Sequence, residues 1–358
     1  MRRRDFLIGS ATCAIGAVAA TSPAGIPIGL NSYCLRALRW DDARLLSYTA
    51  GLKLDAMFLQ DSLDPERADP AHWRKTGELA KRLDLHIETG VGAVLPKSRD
   101  AIDQSAATLR QGIRMASAMG SPVVRCLHAS DRDHLPPGPV EQHIETMIRV
   151  LKSIRSEAMD ANVKIAIENH KDLLAWEMRE VMEGAGKEFV GSYLDTGNPV
   201  FVMEDPMTTL EILGPYAVTV HLRDSVIYEH EGGIAVQWVP LGEGVIDFRK
   251  WIARMREVCR PVYVYIKPIT GRPPAVLPYL DPAFFAKYRD MRGADFARFL
   301  ALAKSGHPYE GHIVIEDVPG RATPEAFVAA MQYQQQEHME RSVEYAKKKL
   351  DLGVKWRS

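Results

Sequence analysis

The sequence predicts an α/β protein, a (β/α)8 TIM barrel with a long loop after the last strand and a C-terminal helix. The 358 residues leave room for this fold, because such a barrel takes roughly 250 residues. Strand-like segments alternate with helical patterns, which is typical of a parallel sheet. Four successive strand-like segments in the second half each end on a polar side chain, as barrel strands do where they carry functional groups.

The predicted strands and helices follow one another regularly along the chain. The strands cover 26–34, 54–60, 84–91, 122–128, 164–170, 190–197, 217–224 and 262–269. Apolar residues recur at helical spacing between them, at 41–50, 70–83, 100–119, 139–161, 175–186, 205–213 and 247–258. No second domain is indicated, so residues 26–358 are predicted to form the barrel with its C-terminal extension.

Two segments follow the last predicted strand. The segment 272–312 is rich in proline and aromatic residues and is long for a structureless loop, so we expect it to cover the barrel mouth. The tail from Pro324 to Leu352 is predicted to be a charged helix that packs across the barrel exterior. Both segments are therefore additions to the barrel.

Residues 1–25 resemble an export signal. A basic start is followed by a short apolar stretch of small residues from Leu7 to about Ala20, which is too short for a comfortable membrane span. The run from Arg3 to Leu7, RRDFL, resembles the twin-arginine motif of bacterial export, and a general secretory signal is the alternative. We expect a periplasmic or otherwise exported protein with no stable membrane insertion after cleavage.

Composition narrows the possible partners. The formal net charge is -1 and the isoelectric point is about 6.8, so the chain lacks the basic character of a nucleic-acid-binding protein. Beyond the leader, Cys34, Cys126 and Cys259 are widely spaced and odd in number, which fits neither a disulfide framework nor a zinc site. A small-molecule substrate is expected, and a homo-oligomer is possible.

The four polar strand ends are predicted to meet at the barrel mouth. They are Glu168 in KIAIENH, Asp195 in VGSYLDTGN, His221 in AVTVHLRDS and Lys267 in VYVYIKPITG. Alternate side chains lie on the same face of a strand. The direction of every other residue in these segments, into or out of the barrel, therefore follows from its spacing from these four. The inward set is Ala166, His170, Tyr193, Thr219, Arg223, Tyr263 and Tyr265, and the outward set is Ile165, Ile167, Leu194, Val218, Val220, Leu222, Val262, Val264 and Ile266.

Two carboxylates and an imidazole at one mouth suit a hard or borderline divalent ion. Three protein ligands would leave positions open for carbonyl and hydroxyl oxygens of a substrate. The metal would polarise the carbonyl, and a nearby base would remove the acidified proton beside it. The same residues also allow a purely structural interpretation, in which Lys267 forms an ion pair with Glu168 and Asp195.

The motifs IAIENH, YLDTGNP, VHLRD and PLGEGVIDF resemble the xylose-isomerase-like superfamily of sugar isomerases and epimerases. That superfamily also contains inosose dehydratases and a DNA-repair endonuclease branch. The resemblance implies a TIM barrel with one divalent metal, favouring Mn²⁺ with Zn²⁺ or Mg²⁺ possible, and a small carbohydrate substrate. It places Glu168, Asp195 and His221 at three metal-ligand positions.

The fourth ligand position departs from the family pattern. Lys267 stands where the family usually has glutamate. In a rival alignment HIVIEDVPG forms the last strand and Glu316 is the fourth metal ligand, which would make 262–271 an extra strand. The count of eight strands favours Lys267, and Glu316 remains possible as a replacement ligand on the covering segment.

Four further residues are candidates for the site. His170 shares the inward face with Glu168, and both are predicted to be catalytic together with Lys267. Asn198, Arg223 and His128 are predicted to bind substrate. For His170 the alternative is a structural role in a cap or loop, and for Asn198 it is a role in turning the loop.

The predicted function is that of an exported sugar or keto-sugar isomerase or epimerase. It would act by metal- or lysine-assisted proton transfer next to a carbonyl. The alternatives are a lyase or dehydratase acting on a keto-glycoside or inosose, and a non-catalytic carbohydrate-binding barrel with a decayed metal site. DNA repair is disfavoured, because that branch needs several metals and more strand-end histidines.

Overall fold

A computed structural model describes residues 25–60, 67–98, 101–288, 291–311 and 315–357. The predicted export signal lies outside these residues except for Gly25. The described part contains eleven β-strands: β1 (Ile28–Asn31), β2 (Ala56–Leu59), β3 (His86–Ala93), β4 (Val123–Leu127), β5 (Lys164–Glu168), β6 (Val190–Asp195), β7 (Ala217–Leu222), β8 (Asp224–His230), β9 (Gly233–Val239), β10 (Val264–Ile266) and β11 (Ala275–Leu277).

Eight parallel strands close into a barrel in the order β1-β10-β7-β6-β5-β4-β3-β2. Strand β1 pairs with both β10 and β2, and this completes the ring. All eight predicted strands are present, so the predicted (β/α)8 barrel is confirmed. The last barrel strand is β10, which shows that the rival alignment with HIVIEDVPG as the eighth strand is wrong.

The alternation of side chains explains why these segments form a barrel. An inner cluster fills the barrel, and it consists of Ala56, Phe58, Val123, Ala166, Tyr193 and Tyr265. Residues of the other parity, such as Ile165 and Ile167, pack in the larger core that also contains the outer helices. Val218 was predicted to face outward but packs against the inner cluster. The pairing of β6 with β7 is irregular at this point, which reverses its side.

Helices surround the barrel as predicted, with one exception. They are α1 (Asp42–Gly51), α2 (Pro70–Arg82), α3 (Ile102–Met119), α4 (Val140–Lys152), α5 (Arg155–Asp160), α6 (Ala175–Ala185), α7 (Pro206–Leu213), α8 (Phe248–Val258), α9 (Pro282–Phe285), α10 (Gly293–Ser305) and α11 (Glu325–Lys348). The predicted helix 139–161 is two helices, because the chain leaves the helical path at Ile154, whose φ is −116°. None of the helices in the described residues is long and apolar enough to cross a membrane.

Helix α11 takes the place of the eighth outer helix. It packs against β10 and against the 3₁₀ turn Ser32–Leu38 that follows β1. The side-chain oxygen of Gln335 accepts the Ala37 amide at one end of this contact, and Gly353, just beyond the helix, donates to the Ile26 carbonyl at the other. The predicted C-terminal helix is therefore an integral part of the barrel wall.

A small second layer lies beyond the carboxyl ends of the barrel strands. Strands β8 and β9 form a hairpin directly after β7, and β11 pairs with β9 to make a three-stranded antiparallel sheet. Helix α10 packs on β8. This layer has its own core of Leu174, Val200, Val202, Met203, Ile227, Ile234, Val236, Leu277, Tyr288, Phe299 and Ala303. The sequence predicted a cover from 272–312 but missed the hairpin at 224–239.

Candidate active site

The barrel brings the four predicted strand-end residues together. Glu168 and Asp195 end β5 and β6, His221 lies in β7, and Lys267 directly follows β10. Each of these residues is at most 2% exposed. Asn169 aligns the first two strand ends, because its amide group accepts the Asp195 N–H at 2.7 Å and donates to the Asp195 carbonyl at 2.9 Å.

Lys267 joins the two carboxylates. Its Nζ lies 2.9 Å from Oε1 of Glu168 and 3.1 Å from Oδ2 of Asp195. An arginine also binds each carboxylate. Arg125 Nε lies 2.6 Å from Glu168 Oε2, and Arg223 Nη2 lies 2.9 Å from Asp195 Oδ2, the oxygen that Lys267 also contacts. We call these five residues the charge row. It holds three positive and two negative groups, a net charge of +1.

Arg125 was missed by the sequence analysis. It lies in the middle of β4, is 4% exposed, and also donates from Nη1 to the Val91 carbonyl at 2.9 Å. A signal was present in the sequence, because a single arginine in the strand VVRCL must either leave the barrel or find an anion inside it. Its inward direction follows from the alternation with Val124, which packs in the outer core.

Pairing within the row sets the protonation states. Burial alone would raise the pKa of Glu168, but Arg125 and Lys267 outweigh it and hold that pKa well below its usual range. Burial and the nearby Arg223 lower the pKa of Lys267, and Glu168 and Asp195 oppose this shift. Because both carboxylates are at hydrogen-bond distance, we describe Lys267 as the ammonium ion at neutral pH.

His221 is a neutral ring inside an aromatic stack. It lies between Tyr193 and Tyr265, with ring centroids 3.8 and 4.8 Å away and planes within 17°. The ring of Phe58 meets it edge-on at 4.9 Å. Burial and the positive charge of Lys267 lower the pKa of His221 well below its usual value. Its Nδ1 has no hydrogen-bond partner among the described residues.

Of the other four candidates, Arg223 is a member of the charge row, Asn198 contacts it, and the two histidines contact other groups. Asn198 donates from Nδ2 to Glu168 Oε1 at 3.0 Å, and Arg223 belongs to the row. His170 is half-buried and its Nδ1 hydrogen-bonds to the Ser130 carbonyl, while burial lowers the pKa of its ring to about 4. His128 is buried with Nδ1 3.3 Å from Oδ2 of Asp172.

Glu316 is not part of this arrangement. Its side chain is exposed, and the preceding residue, Ile315, is fixed by hydrogen bonds with the side chain of Gln334 on α11. No ion pair in the described residues joins Glu316 to the charge row. The predicted role of Glu316 as a replacement metal ligand therefore does not fit this structure.

The described residues do not fit a divalent metal ion at the strand ends. Both oxygens of Glu168 and Oδ2 of Asp195 are already bound by cationic groups. The ammonium of Lys267 lies where an ion bridging the two carboxylates would lie, and a divalent ion there would be repelled by three positive groups. Nowhere in the described part of the chain do three or more His, Cys, Asp or Glu side chains form a metal-binding group.

Comparison with known proteins identifies the family. The chain belongs to the xylose isomerase-like TIM barrel family, whose model matches residues 49–260. Among curated proteins, YihM of Escherichia coli (strain K12) is 23% identical over 181 residues. The match covers 50% of each protein, so the chain spans about half the length of this curated relative.

Solved structures share the fold at low sequence identity. D-psicose 3-epimerase, solved with D-fructose, has a TM-score of 0.61 at 15% identity and covers 90% of this chain and 99% of its own. A sugar phosphate isomerase/epimerase from Parabacteroides distasonis has a TM-score of 0.57 at 13% identity, covering 94% and 98%. The probable 3-DHS dehydratase AsbF from Bacillus anthracis has a TM-score of 0.55 at 13% identity, covering 67% and 92%. The structural neighbours also include a protein solved with magnesium and one with zinc.

Proposed function

We propose that the protein is a carbohydrate isomerase or epimerase that moves a proton next to a carbonyl and uses Lys267 as its built-in cation. The observation that carries this proposal is the ammonium of Lys267 between two carboxylates, 2.9 and 3.1 Å away, at the carboxyl ends of barrel strands. Functional groups of such barrels lie at this end. Structural neighbours with sugar epimerase and isomerase activity support the substrate class.

In the proposed mechanism, Glu168 and the carbonyl oxygen of the substrate compete for the ammonium group of Lys267. While Lys267 and Arg125 contact Glu168, its lowered pKa makes it a weak base. When the ammonium turns to the carbonyl oxygen of a substrate, Glu168 loses one cation and becomes more basic. Its carboxylate then takes the proton from the adjacent carbon. The electron pair of the C–H bond forms a C=C bond, and the π pair of the carbonyl moves onto its oxygen to give an enediolate.

Lys267 stabilises the negative oxygen of the enediolate by charge and hydrogen bonding. Protonation of the same carbon on its opposite face by a second proton donor gives an epimer. Return of the proton from Glu168 to the former carbonyl carbon, with the hydroxyl proton passing to the carbonyl oxygen, gives an isomer. Expulsion of a β-substituent from the same intermediate would give a lyase, an outcome supported by the likeness to a probable dehydratase. All three reactions therefore share the first proton transfer.

The described structure is a closed form of this site. The indole of Trp238 on β9 lies over the Arg223 guanidinium at 4.2 Å and donates to the Gly197 carbonyl at 3.0 Å. Asp317, between the covering segment and α11, pairs with Arg36 and with Arg272 at the start of that segment. We infer that a substrate enters when this layer moves away from the strand ends. On the grounds of the leader sequence, we propose that the reaction takes place outside the cytoplasm.

A screen for solvent deuterium exchange tests the function directly. Sugars and keto-sugars are incubated with the protein in D₂O and followed by NMR, with and without a chelator. The Glu168→Gln variant should lose exchange by roughly 10²- to 10⁴-fold, as expected for removal of a general base. Glu180→Gln, on the exposed side of α6, is the matched control and should be unchanged.

A second candidate function, the binding of carbohydrate without a reaction, also has a structural basis. The charge row is closed and at most 4% exposed, which also suits a barrel that binds carbohydrate without reacting. Binding of sugars with no exchange in any of them would favour that function. Full exchange in Glu168→Gln would remove Glu168 from the mechanism.

A further inference from the structure

We propose that the site takes an anionic carbohydrate, whose carboxylate or phosphate group binds between Arg223 and Lys171 beside Trp238. This inference rests on the proposed function and names the substrate class of the same site. Two cations with unused hydrogen-bond donors lie next to one indole ring, and neither is neutralised by a carboxylate of its own.

Arg223 is the first of these cations. It is 1% exposed, and only its Nη2 is bound, to Asp195. Its Nε and Nη1 are buried without any hydrogen-bond partner among the described residues. Unpaired buried donors are costly, and a guanidinium N–H makes a strong, charge-assisted hydrogen bond to an oxyanion. The free donors of Arg223 therefore indicate that a ligand oxyanion belongs in this place.

Lys171 is the second cation. It follows the end of β5 and is half-buried, with Nζ 5.8 Å from the ring of Trp238 and 5.6 Å from that of Phe201. No ion pair or hydrogen bond of its ammonium is present within the described ranges of the chain. Burial lowers the pKa of Lys171, and the positive charges of Arg223 and Arg272 lower it further. The negative charge of Asp131 opposes this shift.

The surrounding charge also favours an anion. The charge row carries a net charge of +1, and Asp195, the acidic partner of Arg223, is shared with Lys267. Above the row, Arg36 and Arg272 share the single carboxylate of Asp317. A neutral sugar would leave all of this positive charge buried and uncompensated, whereas an anionic group would neutralise part of it. Lys267 alone can stabilise the enediolate oxygen. Arg223 and Lys171 are therefore available to bind a group of the substrate that is negatively charged throughout the reaction.

Matched pairs of ligands test the proposal by thermal shift and calorimetry. Glucose is compared with glucuronate, fructose with fructose 6-phosphate, and inorganic phosphate is included as the bare anion. We expect one of the anionic sugars to stabilise the protein and bind in a salt-dependent way, while its neutral partner does not. The carboxylate and phosphate arms then distinguish the two sources of the oxyanion.

Variants locate the binding site. Lys171→Met should weaken binding of the anionic sugar by about tenfold or more, because it removes a charge-assisted hydrogen bond. Lys171→Arg should keep most of the affinity, since it retains the charge. Lys187→Met, which removes an exposed lysine just after α6, is the control and should bind like the wild type.

Three results would overturn the proposal: neutral and anionic sugars binding equally well, unchanged binding by Lys171→Met, or inorganic phosphate binding as tightly as the sugar anions. Its failure is distinguishable from failure of the proposed function. Deuterium exchange on a neutral sugar, unaffected by Lys171→Met, would keep the proton transfer and remove the anion site. Anionic sugars that bind through Lys171 without any exchange would keep the anion site and remove the isomerase.

Discussion

Lys267 lies where family members are expected to carry the fourth metal-ligating glutamate. If the ammonium replaces the metal, purified protein should contain divalent ions well below one per chain and resist chelators. Lys267→Glu should create a metal site with Glu168, Asp195 and His221. Mn²⁺ or Zn²⁺ at 100 times its Kd should then raise the free energy of unfolding of this variant by about 2.7 kcal/mol.

Thermal denaturation with and without each metal measures this effect, and metal content is measured by elemental analysis. Lys250→Glu, at an exposed lysine of α8, is the control that adds the same charge elsewhere. Near-stoichiometric metal in the wild-type protein would contradict the built-in cation. An absent metal response in Lys267→Glu would show that the strand ends cannot form the four-ligand site.

A second residue-scale prediction concerns Glu204, a buried carboxyl group at the N-terminus of α6. Both of its oxygens lie 3.0 Å from the Ala175 amide, yet burial raises its pKa to about 8. Because the pKa in the unfolded chain is lower, near 4.5, the stability that Glu204 contributes is complete below that pH. It is lost as the pH rises through 8.

Glu204→Gln keeps an oxygen acceptor and removes this titration. The advantage of the wild type over the variant in free energy of unfolding should therefore shrink between pH 5 and pH 8, which urea denaturation at several pH values can measure. Glu180→Gln should give a curve parallel to the wild type, because its side chain is exposed. A curve for Glu204→Gln that is also parallel would mean that Glu204 is ionised in the folded protein.

The site could be predicted from sequence only where alternation and strand ends are informative. Glu168, Asp195, His221 and Lys267 each follow an apolar strand, so parity alone brings them together. Arg125 lies inside a strand, where the sequence gives its direction but not its partner. The choice between a metal and an ion pair depends on distances of about 3 Å, which no strand pattern encodes.

At the scale of secondary structure, helix α11 should contribute stability through its buried side. Met339 on this helix is fully buried in the main core, and Tyr333 on the same helix is 72% exposed. Met339→Ala should lower the free energy of unfolding by about 2–5 kcal/mol, the usual cost of such a cavity. Chemical denaturation measures the loss.

Tyr333→Ala is the control within the same helix and should change stability by no more than about 0.5 kcal/mol. Equal effects of the two substitutions would mean that α11 is not an integral part of the barrel wall. A loss confined to Met339→Ala supports its position as the eighth outer helix.

The elements that sequence patterns missed share a physical reason. The break at Ile154 leaves apolar residues at helical spacing on both sides, so periodicity continues where the backbone does not. The sequence EGG is a turn signal between β8 and β9. The two strands were nevertheless missed, because their apolar residues pack in the core of the second layer and not in the barrel. Its place over the barrel mouth depends on contacts with α10 and β11, which are distant in sequence.

At the scale of the whole molecule, we propose export through the leader. Replacing Arg3 and Arg4 by lysine should keep the precursor in the cytoplasm, because the twin-arginine route depends on this pair. Fractionation and immunoblotting of producing cells measure the distribution. Arg2→Lys is the control and should be exported normally. Export of the double lysine variant would refute the twin-arginine route and favour a general secretory signal.

The overall charge of the molecule conceals the charge of its site. The chain has a formal net charge of -1, whereas the charge row alone carries +1 within a barrel mouth shielded from solvent. Composition could therefore show that the chain as a whole is not basic but could not reveal a local preference for anions. Such a preference depends on which side chains the fold brings into contact.

The alternation of signs in the charge row has a consequence for how this site can vary. Each inner member has an oppositely charged residue on both sides, so neutralising one member leaves its neighbours uncompensated, a loss of about 3–5 kcal/mol for a buried pair. In a double-mutant cycle, Lys267→Met combined with Glu168→Gln should cost less than the sum of the two single changes. Substitutions in the charge row are therefore expected to persist only when the charges of two neighbouring members change together. A lysine-to-glutamate substitution at Lys267 alone would destabilise the protein unless a metal ion bound where the ammonium group had been.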